Sequence, residues 1–507
     1  MSAPARWFAA RSIIARLDVP AYWRELAYRE RVLRWVEQGI GGFCLFGGTP
    51  EEVARVALEV QAAASVPLVL AADLEYGLPM RFAGGTAFPR AFALARAGRP
   101  EWTAAVARVI ARQARQLGIG WNFAPVCDVT TNPANPVIGI RAFGQTPQEA
   151  SVHIRAWIEA TQNEGVGACA KHFPGHGDVT VDSHEALPTV TADRATLWER
   201  ELQPFREALA AGVVGVMVGH LRVPALGIEE LPASLSPRTT ALLREELGYD
   251  GLVLTDALDM GAIVQHWTTA QAVEYALRAG VDILLMPADV EEALAAAEHL
   301  LNTQPELIEQ RRRSLARWRW LRTDPPFPEQ SGLEETLADV RLALQVAQAA
   351  VEISGNTSLV PLPADAHVLF LACLPEETLM GQATFFFRLI AQQTRLCCDM
   401  AYVSPGVTPE EEQRLYDTAA GATHAVVLLL VPPRGSQRGL PRWYGMLARC
   451  AERMPTVVVL AGNPFVPLPG SVATVVRTYS DTEPSLAAAA LLLSGTPLER
   501  EQAEETS

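Results

Sequence analysis

Val166-Gly167-Ala168-Cys169-Ala170-Lys171-His172 is an apolar run that ends abruptly on two basic side chains. Ahead of it lies an amphipathic stretch, Pro147–Glu164, closed by Gly165, so the segment reads as helix, turn and buried strand. The same unit recurs in both directions along the chain. Strand-like runs are expected at Ser12–Leu17, Ile40–Phe46, Pro67–Asp73, Ile119–Val126, Val166–Lys171, Val213–Gly219, Gly251–Thr255 and Val281–Met286, eight in all. Helical patterns fall between them at Pro50–Ala64, Trp102–Leu117, Pro147–Glu164, Ala192–Ala211, Ser236–Leu247 and Thr268–Ala279. Runs of this kind are those of parallel strands buried on both faces, and eight of them joined by helices predict a (β/α)8 TIM-like barrel. An open doubly wound sheet is the competing arrangement, but it has no need of eight units, and no GxGxxG opens the first helix.

Barrel enzymes carry their chemistry on the loops that leave the C-terminal strand ends. Those ends are polar here: Asp73-Leu74-Glu75 after the third run, Asp128 after the fourth, Lys171-His172 after the fifth, His220 after the sixth and Asp256 after the seventh. Further along, the prolines of Asp324-Pro325-Pro326-Phe327-Pro328 forbid a continuing helix and mark a linker. A helix is expected over Leu333–Ile353. A second alternation follows, with strands at His367–Cys373, Leu396–Val403, His424–Val431, Thr456–Leu460 and Val472–Arg477, and predicts a smaller α/β sandwich. The expected domains are a barrel over 1–323, a linker and connecting helix over 324–353, and a C-terminal sandwich over 354–507, with an acidic tail at Glu499–Ser507. No glycine-rich phosphate loop accompanies the second domain.

The chain has 507 residues and a formal net charge of −15, which argues against nucleic acid or an anionic membrane as its main partner, since both demand a basic face. Seven cysteines, odd in number and mostly within apolar runs, read as reduced core thiols of a cytoplasmic protein. Arg6, Arg11, Arg16 and Asp18 interrupt the first twenty residues, so neither a signal peptide nor a membrane span is expected.

Lys171 is the only lysine among 42 basic residues. Codon usage alone is one explanation; the other is a need for a compact ammonium where a planar guanidinium would not serve. Its surroundings favour the second. The loop after Lys171 holds His172, His176, Asp178, Asp182 and His184. Such a cluster raises the question of a metal, but Pro174, Gly175 and Gly177 rule out the helical spacing of a zinc motif, and a mobile flap carrying a reactive group fits better. A loop of this kind can still wrap a metal ion, but neither metal nor cofactor is expected. In Asp182-Ser183-His184 a carboxylate two residues from an imidazole can orient the ring and stabilise its cation, as an acid/base dyad requires; a capping serine between polar loop residues is the plainer alternative. Asp256 ends the seventh run, where a carboxylate points into the barrel mouth, and Asp259 is left to cap the next helix.

Lys171-His172-Phe173-Pro174-Gly175-His176-Gly177 followed by Asp182-Ser183-His184 resembles the signature of bacterial, two-domain β-N-acetylglucosaminidases of glycoside hydrolase family 3. Asn122–Val129, Asn135–Gly144, Pro232-Ala233-Ser234-Leu235-Ser236 and Thr255–Met260 resemble further segments of that family in the same order, and Leu359–Pro363 resembles the entry to its flavodoxin-like C-terminal domain. The resemblance implies Asp256 as nucleophile and His184, paired with Asp182, as general acid/base. It also implies a sugar pocket of Asp73, Arg81, Arg141, Lys171 and His172, in which Lys171 would keep Asp256 ionised. One departure is Asp73-Leu74-Glu75-Tyr76-Gly77, where the family often has Asp-Gln-Glu-Gly-Gly; it bears on the aglycone side.

The expected activity is therefore hydrolysis of terminal N-acetylglucosamine from small glycans such as cell-wall fragments. A phosphorylase or a β-glucosidase of the same family are the alternatives within the enzymes, and a non-catalytic sugar-binding protein is the alternative outside them.

Overall fold

The computed structural model describes residues 5–321, 336–433 and 440–496; the proline cluster at 324–328 and the acidic tail fall outside them. Two compact units divide the chain. The first comprises Met1–Thr86 and Arg99–Val340, the second Ala87–Gly98 and Arg341–Ser507.

In the first unit β1 (Ile13–Asp18), β2 (Gly42–Phe46), β3 (Val69–Ala72), β4 (Trp121–Asn122), β5 (Cys169–Phe173), β6 (Gly215–Val218), β7 (Leu252–Thr255) and β8 (Leu284–Leu285) all run parallel to their neighbours. They form a five-stranded arc, β4-β3-β2-β1-β8, and a three-stranded arc, β5-β6-β7. Two parallel bridges, Trp121↔Gly167 and Leu254↔Ile283, join the arcs, so pairing passes round all eight strands in chain order. β4 is shorter than its apolar run because Pro125 has no N–H to offer; beyond it pairing continues as the isolated parallel bridge Val126↔Lys171, with Cys127 N bonded to Lys171 O at 2.6 Å.

Helices occupy the intervals, and their starts follow from local chemistry. Thr49 and Thr268 form capping boxes with Glu52 and Gln271, and the Thr146 hydroxyl accepts from Glu149 N ahead of Pro147–Asn163. Gly165, at φ 80°, turns the chain from that helix towards β5. Inside the ring, Ile14, Cys44, Ala71, Trp121, Cys169, Met217, Leu254 and Ile283 pack into one core, with Trp318 and Leu321 in the same cluster. Trp121 needs room to lie there: a Cβ at Gly215 would meet its ring at 2.3 Å. Among the described residues all seven cysteines are free thiols, and no helix is long and apolar enough to cross a membrane.

The second unit is a six-stranded sheet of order β11-β10-β12-β13-β14-β9, built from β9 (Glu352–Gly355), β10 (His367–Cys373), β11 (Cys397–Val403), β12 (His424–Val431), β13 (Thr456–Gly462) and β14 (Thr474–Arg477). Five strands are parallel and β9 is antiparallel to β14. The alternate residues of β12 show why both faces are covered: Val426 and Leu428 join one hydrophobic cluster, Val427 and Leu429 the other. Two expectations are corrected here. The helix predicted to reach Ile353 ends at Ala350, and Ile353 instead pairs with Val476 in the ladder. The second unit also takes in Ala87–Gly98, a segment assigned wholly to the barrel from sequence. Arg90 bonds Asp481 and, through its backbone N–H, Ser480 Oγ, while Phe92 stacks on Tyr479 at 5.7 Å.

Candidate active site

Asp73 follows β3 directly and receives two cations. Its Oδ2 accepts from Arg81 Nη2 at 2.6 Å and its Oδ1 from Lys171 Nζ at 2.8 Å. Lys171, inside β5, also lies 2.7 Å from Glu75 Oε1. Arg141 grips both oxygens of Glu75, Nε to Oε2 at 3.0 Å and Nη2 to Oε1 at 2.7 Å, as a planar fork suits a carboxylate. Burial alone would raise both carboxyls, but Lys171 and Arg81 hold Asp73, and Arg141 and Lys171 hold Glu75, below the ordinary carboxylate range. Burial would likewise lower the ammonium of Lys171, yet Asp73 and Glu75 outweigh it and raise it. All these groups are therefore charged. The lone lysine now has a physical reason: its side chain is 2% exposed, and a slim stem ending in three donors can reach two carboxylates there.

Asp128, fully buried after β4, organises the loop after β5. One carboxylate oxygen accepts from His172 Nδ1 at 2.7 Å and from His172 N at 3.2 Å; the other accepts from His176 N at 2.6 Å. Burial would raise this carboxyl, and His172 brings it below its usual value. With Nδ1–H given to Asp128, His172 keeps Nε2 for other partners. His176 is pushed down to about 4 by burial, so it is neutral, and its Nε2 meets Ser183 Oγ at 2.9 Å. Gly177 passes so close to Val129 that a Cβ would lie 1.8 Å from its carbonyl oxygen.

Asp182 and His184 come together as the spacing predicted. Glu185 N and Ala186 N both bond Asp182 O, making a turn in which Asp182 Oδ1 accepts from His184 N at 2.9 Å and from His184 Nδ1 at 2.7 Å. With Nδ1 engaged by Asp182, proton exchange falls to Nε2. Ser183 is no helix cap: it is buried against His176. This turn is tied to the segment after β7 by Gly261 N to His184 O and Ala262 N to Ser183 O, both 3.2 Å, and by Gln265 Nε2 to Glu185 O at 2.7 Å.

Asp256 follows β7 and its Oδ1 accepts from Ala257 N at 2.7 Å. Burial would raise its carboxyl, but His172 and His220, then the Ala257 amide and His184, hold it below its usual value. The charge expected from Lys171 is not among these; that ammonium is engaged by Asp73 and Glu75 instead. Asp259 does not cap a helix either, since Met260 stands at the N-cap of Gly261–Val264 and Asp259 pairs with Arg16 at 3.0 Å. Among the described residues no group of three or more His, Cys, Asp or Glu side chains is arranged to hold a metal ion.

The structure places Asp73, Arg81, Arg141 and Lys171 in one cluster of ion pairs, His172 against Asp128, His184 against Asp182, and Asp256 at the end of β7. Two that the sequence displayed at strand ends, Glu75 and Asp128, were given no role, although each is the buried counter-charge of a residue that was.

The carboxylates, cations and histidine–aspartate pair stand at the strand ends of a parallel barrel, where enzymes of this architecture place their chemistry. Residues 16–317 match the profile described as Glycosyl hydrolase family 3 N terminal domain, and the chain belongs to that family. It is 34% identical over 381 residues to Beta-hexosaminidase A of Pseudoalteromonas piscicida, covering 66% of this chain and 62% of that one. It is also 34% identical over 264 residues to a Beta-N-acetylglucosaminidase/beta-glucosidase of Cellulomonas fimi, covering 50% of this chain and 47% of the other. The chain thus spans less than two thirds of the length of these curated relatives. A solved glycoside hydrolase family 3 beta-N-acetylglucosaminidase from Paenibacillus sp. superposes with a TM-score of 0.85 at 28% identity, over 97% of both chains.

Proposed function

We propose that this protein is a retaining, exo-acting β-N-acetylglucosaminidase that removes terminal non-reducing N-acetylglucosamine from small glycans such as peptidoglycan fragments. The observation that carries this reading is the seating of the dyad: an imidazole oriented by a carboxylate at 2.7 Å, on a turn whose main chain is bonded to the residues just beyond Asp256. The names of the matched relatives support the choice of sugar. A cytoplasmic salvage role and a flavodoxin-like second domain complete the reading.

The reaction has two displacements. An Asp256 oxygen attacks the anomeric carbon while the glycosidic C–O bond breaks, and the departing oxygen takes the proton from His184 Nε2. Asp182 steadies the imidazolium before that transfer. Water then enters, gives its proton to the neutral His184 and displaces the Asp256 carboxylate, so the configuration is retained. Asp73, Arg81, Arg141, Lys171 and His172 hold the sugar hydroxyls. Lys171 has a third N–H beyond those on Asp73 and Glu75, and Arg141 uses one on Val137 O in addition to those on Glu75.

One specific observation favours a second reading, phosphorolysis. The acid/base is an imidazole, which does not repel an incoming phosphate as a carboxylate would.

The test is to assay nitrophenyl N-acetylglucosaminide beside nitrophenyl glucoside, with and without phosphate, and to follow the product anomer. Free N-acetylglucosamine with retained configuration is expected; faster glucoside cleavage overturns the sugar, and a sugar 1-phosphate product replaces hydrolysis with phosphorolysis. Asp256→Ala should lower kcat by ~10⁴-fold or more while the protein stays folded, and a variant with near-normal turnover refutes the nucleophile.

A further inference from the structure

His220, after β6, and Ser234, in the Pro232–Ser236 segment, take no part in the scheme above, yet both are wholly buried beside it. His220 Nε2 lies 2.8 Å from the carbonyl oxygen of Ala257, and its Nδ1 lies 2.7 Å from Ser234 Oγ. A carbonyl oxygen only accepts, so Nε2 carries the proton. Burial pushes the ring below its ordinary value, which keeps it neutral. Nδ1 therefore accepts, and the Ser234 hydroxyl donates to it. Ala257 is gripped at both ends: its carbonyl by His220, and its N–H by Asp256 Oδ1 at 2.7 Å. Among the described residues Asp256 Oδ2 receives no hydrogen bond.

We propose that His220 and Ser234 are positioning residues for the nucleophile: by fixing the Ala257 carbonyl they fix Ala257 itself, whose N–H, in the preceding peptide group, occupies Asp256 Oδ1 and leaves Oδ2 as the oxygen that attacks the anomeric carbon. Neither touches the substrate. A side chain that anchors a residue's carbonyl restrains, across its Cα, the preceding peptide N–H and so the angle of the carboxylate bonded to that N–H, and a shift of about 1 Å in a reacting group costs on the order of 10²-fold in rate. His172 from β5 and His184 from the dyad also face Asp256, and Asp259 with His184 faces His220, so the local charge balance involves all of them.

The inference rests on Asp256 being the nucleophile, and the experiment separates the two. A 5-fluoro-N-acetylglucosaminyl fluoride is incubated with the full-length protein; fluoride leaves as the nucleophile forms a slowly hydrolysed ester, and mass spectrometry locates the ester. Wild type is compared with His220→Asn, too short to reach Ala257 O, with His220→Gln, whose amide N–H can replace Nε2, and with Ser234→Ala. Labelling of Asp256 should slow on the order of 10²-fold in His220→Asn, recover to within about 10-fold of wild type in His220→Gln, and fall about 10-fold in Ser234→Ala. The acid limb of kcat/KM should move to higher pH in His220→Asn, because the Ala257 amide no longer holds the carboxylate. A merely structural residue would lower the melting temperature and leave that limb in place. If Asp256 is labelled in wild type and at the same rate in His220→Asn, the positioning role is overturned while the nucleophile stands; if another residue is labelled in wild type, both fall.

Discussion

Replacing Lys171 by methionine keeps the length of the side chain and removes the charge that two buried carboxylates share. In the folded protein Asp73 and Glu75 each lose one charge-assisted bond, of 2.8 and 2.7 Å, and keep Arg81 and Arg141 respectively. Removing one partner from a buried ion pair costs ~3–5 kcal/mol, and the remaining arginines with the partial exposure of Asp73 place this case near the lower end. At about 2 °C per kcal/mol for a unit of this size, the melting temperature should fall by about 6 °C at neutral pH. The dependence on pH has a definite sign. Both carboxyls sit below their unfolded values, so the stability they lend is present above the unfolded carboxylate range near ~4 and is lost as pH falls through the folded values. Without Lys171 the folded values rise, so the gap between wild type and variant should be full above the unfolded range near ~4 and close only as pH falls below it, through the wild-type folded values. Catalysis should lose the bond from the third ammonium N–H to a sugar hydroxyl, worth ~1.5–3 kcal/mol, or about 10- to 150-fold in kcat/KM. Lys171→Arg preserves the charge but needs more width than a side chain 2% exposed is given, so kcat/KM should still fall while the acid-side gap narrows. Thermal melts across pH, with initial rates on the aryl N-acetylglucosaminide, measure both. A Lys171→Met protein that melts with the wild type and keeps its kcat/KM refutes the charge-sharing argument.

Two further outcomes are expected. His184→Ala should lose far more activity on substrates with poor leaving groups than on nitrophenyl ones, because protonation matters most for the former; equal losses would count against the acid role. Glu201, fully buried beside Arg200, is pushed up to about 7 by burial, so the folded state holds its proton more tightly than the unfolded chain, and the stability it lends is lost as pH rises towards and through 7; Glu201→Gln should flatten the melting temperature between pH 5 and 8, and an unchanged slope would contradict this.

The ring of strands and the polar strand ends were legible because both depend on local patterns: an unbroken apolar run is buried on two faces, and the residue after it must sit at the mouth. Asp182-Ser183-His184 was legible for the same reason, since a turn of that length bonds itself. What escaped depends on partners distant in sequence. Glu75 looked like one acid among many until Lys171, from β5, and Arg141 stood beside it. Trp121 and Gly215 are an apolar pair whose fit only the closed ring reveals. The strand Glu352–Gly355 continued a helical periodicity, and what makes it a strand is its pairing with β14. His220 was visible as a strand end, but its bond to the Ala257 carbonyl has no counterpart in side-chain pattern.

The short helix Ala91–Arg96 carries a consequence for how the protein is made. Arg90 is bonded to Asp481, 391 positions later, so during synthesis the segment leaves the ribosome with its docking surface still to be translated. At the usual ~5–20 residues per second that interval is about 20–80 s, during which Phe92 has no aromatic partner to stack on. The second unit is therefore discontinuous in the chain, and no single cut yields two whole units. A nascent chain that pauses after the barrel exposes an apolar patch to chaperones until its last strands emerge, and expression of the barrel alone inherits that exposure permanently.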